Sequence, residues 1–246
     1  MSNKEIIVPL ANLRNKPNSN SSLETQLIYG ETIKIITNKN NWSYVCTKED
    51  NYKGWVKTKL IGNKTKKTHK IKELCAFVFV KPNHKSKVIS KLYLNSKLKI
   101  QIVDDNWVKL KIEGQFGYLH RKSILDLNYH YNNWIDICLK FLNSPYLWGG
   151  KTYEGIDCSG LVQLSLQYCG VKFPRNTSEQ LIFSSNICIS TNEISKGSLI
   201  FWDGHVGLMI SDNEILHSNM HHLGVQIEKI SKCIKRIGLI KEIKKI

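Results

Sequence analysis

Three residues have the side chains and the surroundings for acyl-transfer chemistry: Cys158, His205 and His217. Cys158 lies in GGKTYEGIDCSGLVQ, residues 149–163, between a glycine-bearing loop and an apolar run. A thiolate is a strong nucleophile, but it needs a neighbour that takes and returns a proton, usually a histidine. The chain has seven cysteines, and a free cysteine is by default a small buried hydrophobe. What separates Cys158 is its place. Leu161, Val162, Leu164, Leu166 and Cys169 follow helical spacing and Gly170 stops the run, so Cys158 falls in the first turn of a helix. Unpaired N–H groups and partial positive charge favour a thiolate there, so its pKa is expected to be lowered. Cys169, near the other end, lacks that advantage.

Of eight histidines, His205 and His217 sit in apolar strand-like segments, DGHVGLMI and EILHSN, on either side of Ser211-Asp212-Asn213. If the hairpin turns about Ser211, residue numbers summing to 422 lie opposite and His205 faces His217, with Cβ atoms about 4.5–5.5 Å apart. A turn centred between Asp212 and Asn213 breaks that register. With the register kept, His205 can be the base and His217 the group that orients it. His69 reads as part of a linker, His84, His120 and His130 lie in or near a different region, and His221 and His222 read as ordinary surface or core residues.

The elements that must hold these residues occupy the second half. YNNWIDICLKFLNS places Trp134, Ile137, Cys138, Phe141 and Leu142 on one helical face. Downstream, GSLIFWD, HVGLMIS, EILHSN, GVQIEKI and IKRIGLI read as consecutive strands. Helices followed by an antiparallel sheet make an α+β domain. The first half repeats itself: residues 12–61 and 77–125 each run from a Lys-Pro-Asn turn through a strand, a tight turn, a second strand and an Asn-Trp to Gly54-Trp55-Val56 or Gly117-Tyr118-Leu119. The expected strands are 25–29 and 32–36 in one copy, 88–93 and 97–102 in the other. Short alternating strands between turn residues indicate small β-barrels, with the polar, basic segment 62–70 as their linker. The expected domains are 1–66, 67–127 and 128–246.

Composition bounds the function classes. No run of about 18 apolar residues is present to span a bilayer. The start of the sequence lacks a secretory pattern, and an odd cysteine count without a C-x-x-C suits reduced thiols, so a cytoplasmic location is expected. Cysteines and histidines do not cluster at zinc spacing, so no metal is expected. The net charge is +16, with 24 Lys and Arg against 10 Asp and Glu in residues 1–127 and 12 against 10 in the remainder. Such a field attracts polyanions, whether nucleic acid, acidic headgroups or carboxylate-rich wall fragments, or else simply aids solubility.

YLWGG, DCSGLVQ, PRNTSEQ, HVGLMI and ILHSN, in that order, resemble the NlpC-type papain-like cell-wall peptidases across nearly all of 128–246. The repeated segments resemble bacterial SH3 domains. The resemblance implies a papain-like cysteine peptidase domain preceded by two small SH3-like barrels. It implies Cys158 as nucleophile, His205 as general base and acid, His217 as the orienting residue, and Tyr146 near the developing oxyanion. Asp157, Ser159, Asn176 and Thr177 are implied to line the substrate, and Glu24 and Tyr52 to read a free amine from the first barrel. Asn176 stands where the family often has aspartate, which implies weaker amine recognition, and Ser198 stands where Gly-Asp-Leu is common.

The implied reaction is hydrolysis of the γ-D-glutamyl to diamino acid bond of peptidoglycan-derived peptides that carry a free N-terminal L-Ala. Neither metal nor organic cofactor is required, and no nucleic-acid partner is expected. The rivals are an exported wall hydrolase, a papain-like amidase or acyltransferase, and a non-catalytic module that binds polyanions or wall polymer.

Overall fold

A computed structural model describes residues 3–187, 189–190 and 193–246. The chain divides into two compact units, one running to Tyr129 and the other from His130 to Ile246. No helix among the described residues is long and apolar enough to cross a membrane.

The first unit holds both barrels. In the first, β1 (Lys4–Ile6), β2 (Leu10–Arg14), β3 (Leu23–Ile28), β4 (Thr32–Lys39), β5 (Trp42–Thr47), β6 (Lys53–Lys57) and β7 (Ile61–Asn63) form an antiparallel sheet ordered β3-β2-β6-β5-β4-β1-β7. Alternation does the sorting: along β5, Ser43, Val45 and Thr47 are buried while their neighbours are half-exposed. Ile6, Leu13, Leu27, Ile33, Val45 and Val56 fill the interior.

The second barrel uses β8 (His69–Ile71), β9 (Cys75–Phe79), β10 (Val88–Tyr93), β11 (Lys97–Leu98), β12 (Gln101–Ile102), β13 (Trp107–Ile112), β14 (Gln115–His120) and β15 (Ile124–Asp126). They make one sheet ordered β10-β9-β14-β13-β12 and another ordered β11-β8-β15. The strand expected over 97–102 is thus split into β11 and β12, which belong to different sheets.

The segment expected as a solvated linker is partly structured. His69 lies in β8, and Lys67 is nearly buried, its Nζ 2.9 Å from Glu5 Oε1. Glu5 Oε2 also accepts the Thr65 N–H at 2.9 Å. A lysine chain can bury its stem when its head meets a carboxylate, which a reading of charge alone misses.

The second unit opens with α1 (Trp134–Lys140), whose Asn133 cap accepts the Ile135 N–H and whose Ile137 and Cys138 are buried. The short hairpin β16 (Lys151–Thr152) with β17 (Gly155–Ile156) precedes α2 (Cys158–Tyr168) and α3 (Thr177–Ile187). Then come β18 (Ile189–Ser190), β19 (Ser198–Trp202), β20 (His205–Met209), β21 (Glu214–Asn219), β22 (Gly224–Lys229), α4 (Ile230–Ile237) and β23 (Glu242–Lys245). The antiparallel sheet runs β18-β23-β19-β20-β21-β22.

Two local expectations are corrected. IKRIGLI is no strand: Ile230, Cys233, Ile234 and Ile237 repeat at i, i+3, i+4, i+7, so the segment belongs to α4, and a window begun at Ile234 cuts that repeat in half. PRNTSEQ runs into a helix, α3, that apolar periodicity does not announce.

Candidate active site

Cys158 is the first residue of α2 and only 8% exposed. Asp157 is the helix cap, its Oδ1 accepting the Gly160 N–H at 2.7 Å. The same carboxylate accepts the Gly149 N–H at 2.7 Å and pairs with the buried guanidinium of Arg175, with Nη1–Oδ1 2.9 Å and Nη2–Oδ2 2.7 Å. Arg175 Nη1 also donates to Ser159 Oγ at 2.9 Å. One planar fork therefore locks the glycine loop, the cap and the first turn of α2 together, a geometry that arginine suits and lysine does not. Gly160 permits it: a Cβ there would lie 2.6 Å from the Gly150 carbonyl oxygen.

Arg175 lies in PRNTSEQ, whose pattern assigns it no role. Asp157 and Ser159, which the resemblance implies to line the substrate, are both buried in the Arg175 network.

The thiol sits between α2, α3 and β20. Thr177 Oγ1, at the start of α3, is 3.9 Å from its sulfur, and the Val206 backbone N–H hydrogen-bonds to it. Asn176 immediately precedes α3, its carbonyl accepting the Gln180 N–H at 2.8 Å. Burial is the largest influence on the Cys158 thiol and Asp157 the next; together they push its pKa up to about 11, against the smaller lowering effects of Val206, Thr177 and Arg175. This corrects the expectation of a lowered pKa. The helix terminus is there, but its pull is outweighed by desolvation and a carboxylate one residue away.

Tyr146 reaches the same place. Burial, then Cys158 and Asp157, raise its hydroxyl to about 12, so it stays a hydrogen-bond donor at neutral pH. The Tyr146 N–H is held by the Leu223 carbonyl at 2.9 Å, which ties its loop to the end of the β21–β22 hairpin.

Val206 is followed backwards by His205, half-buried at the start of β20. His205 Nε2 lies 2.8 Å from His217 Nδ1, and His217, fully buried, places Nε2 2.8 Å from Glu228 Oε1. The register differs from the expected one. Leu208 opposes Leu216 and Met209 opposes Ile215, so paired numbers sum to 424 and the turn centres on Asp212. His217 therefore stands opposite Gly207, two residues along the strand from His205. A two-residue shift keeps both side chains on one face, and imidazoles span the diagonal. Burial pushes His205 down to about 3 and His217 down to about 4, so both rings are neutral at pH 7. Arg236, hydrogen-bonded to Glu228, and His217 hold the Glu228 carboxyl at about 2.

His217, Glu228 and Cys233 offer ligand atoms all within 4.8 Å of one another. Arg236 Nη1 already donates to Glu228 Oε2 at 2.9 Å, with Nη2 on Oε1, so the positive charge a cation would supply is in place. The set is a hydrogen-bonded chain. Glu24 and Tyr52 come together in the first barrel, the Tyr52 hydroxyl donating to Glu24 Oε2 at 3.1 Å.

The NlpC/P60 family model matches residues 143–237, and the model of the bacterial dipeptidyl-peptidase Sh3 domain matches residues 13–61. Among curated relatives, the dipeptidyl-peptidase 6 of Lysinibacillus sphaericus is 27% identical over 94% of this chain and 92% of its own length. A γ-D-glutamyl-L-lysine dipeptidyl-peptidase of Bacillus cereus is 25% identical over 84% of this chain and 70% of its own. An NlpC/P60 family protein of Bacillus cereus, solved by crystallography, shares the fold with a TM-score of 0.79 at 20% identity, covering 93% of this chain and 94% of that one. The NlpC/P60 match spans the cysteine, the histidine pair and Glu228, and an SH3 match lies in the unit before them, so residues 143–237 form an NlpC/P60 domain of the cysteine-peptidase kind behind a bacterial SH3 domain.

Proposed function

We propose that this protein hydrolyses the bond between γ-D-glutamate and a diamino acid in peptidoglycan-derived peptides, as a cytoplasmic recycling enzyme. The observation that carries the chemistry is the line from Cys158 through the Val206 strand to His205 and His217. The bond is supported by similarity along 92% and 70% of the length of two proteins named as dipeptidyl-peptidases, the second for γ-D-glutamyl-L-lysine. Among the described residues, the free thiols of Cys46, Cys75, Cys138, Cys158 and Cys233 suit a reducing compartment.

At rest the pair is a neutral thiol and a neutral imidazole. As the Cys158 sulfur attacks the γ-glutamyl carbonyl carbon, its proton passes to His205, and the tetrahedral oxyanion takes hydrogen bonds from the Cys158 N–H and the Tyr146 hydroxyl. Helix geometry leaves the Cys158 N–H without an intrahelical acceptor, while Asp157 occupies that of Gly160. The C–N bond breaks as His205 returns its proton to the leaving amine. Water then attacks the thioester, giving its proton to His205, and the thiol is regenerated with a free γ-carboxylate. Thr177 and Asn176 border the substrate at α3. A free L-Ala amine calls for a carboxylate partner, the role the resemblance implies for Glu24, which accepts the Tyr52 hydroxyl.

The test is incubation with L-Ala-γ-D-Glu-diaminopimelate, its L-lysine counterpart and N-blocked versions, with products identified by mass. Cleavage of free peptides alone, abolished in Cys158→Ala, is expected. Cleavage of blocked and free peptides alike overturns the amine requirement and favours a wall hydrolase; no cleavage of any overturns the assignment.

A further inference from the structure

The three strands that carry the site place His205, His217 and Glu228 on one diagonal. On β21, His205 lies level with Asn219, His217 occupies its own position, and Glu228 pairs with Ile215, so each strand advances the line by two residues on the same face of the sheet. Arg236, the penultimate residue of α4, closes the line on Glu228 with two hydrogen bonds.

Proton bookkeeping along that line has one solution. A carboxylate only accepts, so His217 must donate through Nε2–H, and a neutral imidazole then leaves its Nδ1 as an acceptor. His205 must in turn donate Nε2–H to it, which leaves the lone pair of His205 on Nδ1. With Nε2 engaged, Nδ1 is the nitrogen open to the thiol. Remove the carboxylate, and either ring can turn its proton the other way at little cost, placing an N–H where the base is needed.

We propose that Glu228, held by Arg236, is a positioning residue that fixes the tautomer of both histidines and so makes His205 Nδ1 the base. The inference rests on the assignment of Cys158 and His205 as nucleophile and base. Among the described residues, the titratable or charged groups beside the line are Cys233 and Arg236 on α4 and His222, whose Nδ1 is 4.0 Å from Glu228 Oε1, with the Cys158 thiol at its catalytic end. The ring of Trp202 on β19 packs beside His205 at 5.7 Å.

The test combines two variants of the full chain with two readouts. Glu228→Ala is expected to lower kcat by roughly 10²-fold, the lower end of what a positioned general base contributes, with KM nearly constant. In ¹⁵N-histidine spectra of the resting protein, both rings should be Nε2–H tautomers at pH 7, and Glu228→Ala should turn them into mixtures. Arg236→Ala leaves the carboxylate but removes a positive charge near both rings, so the acid limb of kcat/KM should move to higher pH. Wild-type tautomer spectra in Glu228→Ala, or an unmoved acid limb in Arg236→Ala, overturn the proposal. The spectra need no substrate and Arg236 is on the surface of α4, so an inactive or poorly folded Glu228→Ala does not shield the idea. Activity retained by Cys158→Ala would instead sink the reading on which it rests.

Discussion

Cys158 and His205, the proposed nucleophile and base, are both neutral at rest because both are withdrawn from water. Desolvation raises the acid and lowers the base, so the ion pair that would form in a wetter cleft is disfavoured at rest. The sign for activity follows. The base works while unprotonated, and its folded value of about 3 lies below the ordinary value of 6.5, so activity is lost only when pH falls well beneath the usual histidine range. The acid limb of kcat/KM, which reports the free enzyme, is expected below pH 6.5. A limb centred at or above 6.5 would show that a hydrated or ion-paired state governs catalysis.

At the scale of elements, the site depends on how the start of α2 is tied to the loop before it. Arg175 is nearly inaccessible, and its guanidinium is paired with the Asp157 carboxylate. Arg175→Ala leaves that carboxylate buried with its strongest partner gone, for which a loss of about 3–5 kcal/mol is expected in urea unfolding. Arg175→Lys should recover little of it, since one ammonium cannot reach Asp157, Ser159 and the Gly150 carbonyl together. Wild-type stability in either variant would mean the pair contributes nothing net. The same scale separates what the sequence disclosed from what it hid. Cys158 at a helix start and the histidine pair on adjoining strands were legible because period and spacing carry them. Arg175 and Glu228 were not, since a charged residue in a loop or strand looks the same whether it is solvated or buried against a partner distant in sequence. The register of the histidine hairpin was missed for a related reason: three polar residues, Ser211-Asp212-Asn213, allow more than one turn centre. Parity alone saved the pairing, and Gly207 opposite His217 was the available clue, because its missing side chain leaves room beside Ile215 and His217.

At the scale of the molecule, the two barrels are one object rather than beads on a linker. Tyr29, which follows β3 of the first, lies in the core of the second with Val78, Leu92 and Val108. Its hydroxyl donates to the Lys111 carbonyl at 2.7 Å, and its own carbonyl accepts the Lys97 N–H at 3.0 Å. Lys97 also pairs with Glu49, and Lys67 lies 5.1 Å over the Tyr29 ring. Gly30, with φ +80°, lets the backbone pass where a Cβ would strike the Lys97 carbonyl. A residue shared between two cores should couple their unfolding. Tyr29→Ala removes a large buried side chain, a loss of about 3–5 kcal/mol by analogy with other aromatic truncations. In native-state hydrogen exchange of the full chain, the slowest amides of β5 and of β13 should lose protection together and by similar amounts. Tyr29→Phe, which removes only the hydroxyl bond, should cost about 1 kcal/mol and act on both barrels alike. Loss confined to one barrel in both variants would mean that the barrels are independently stable and that the shared tyrosine only decorates their junction.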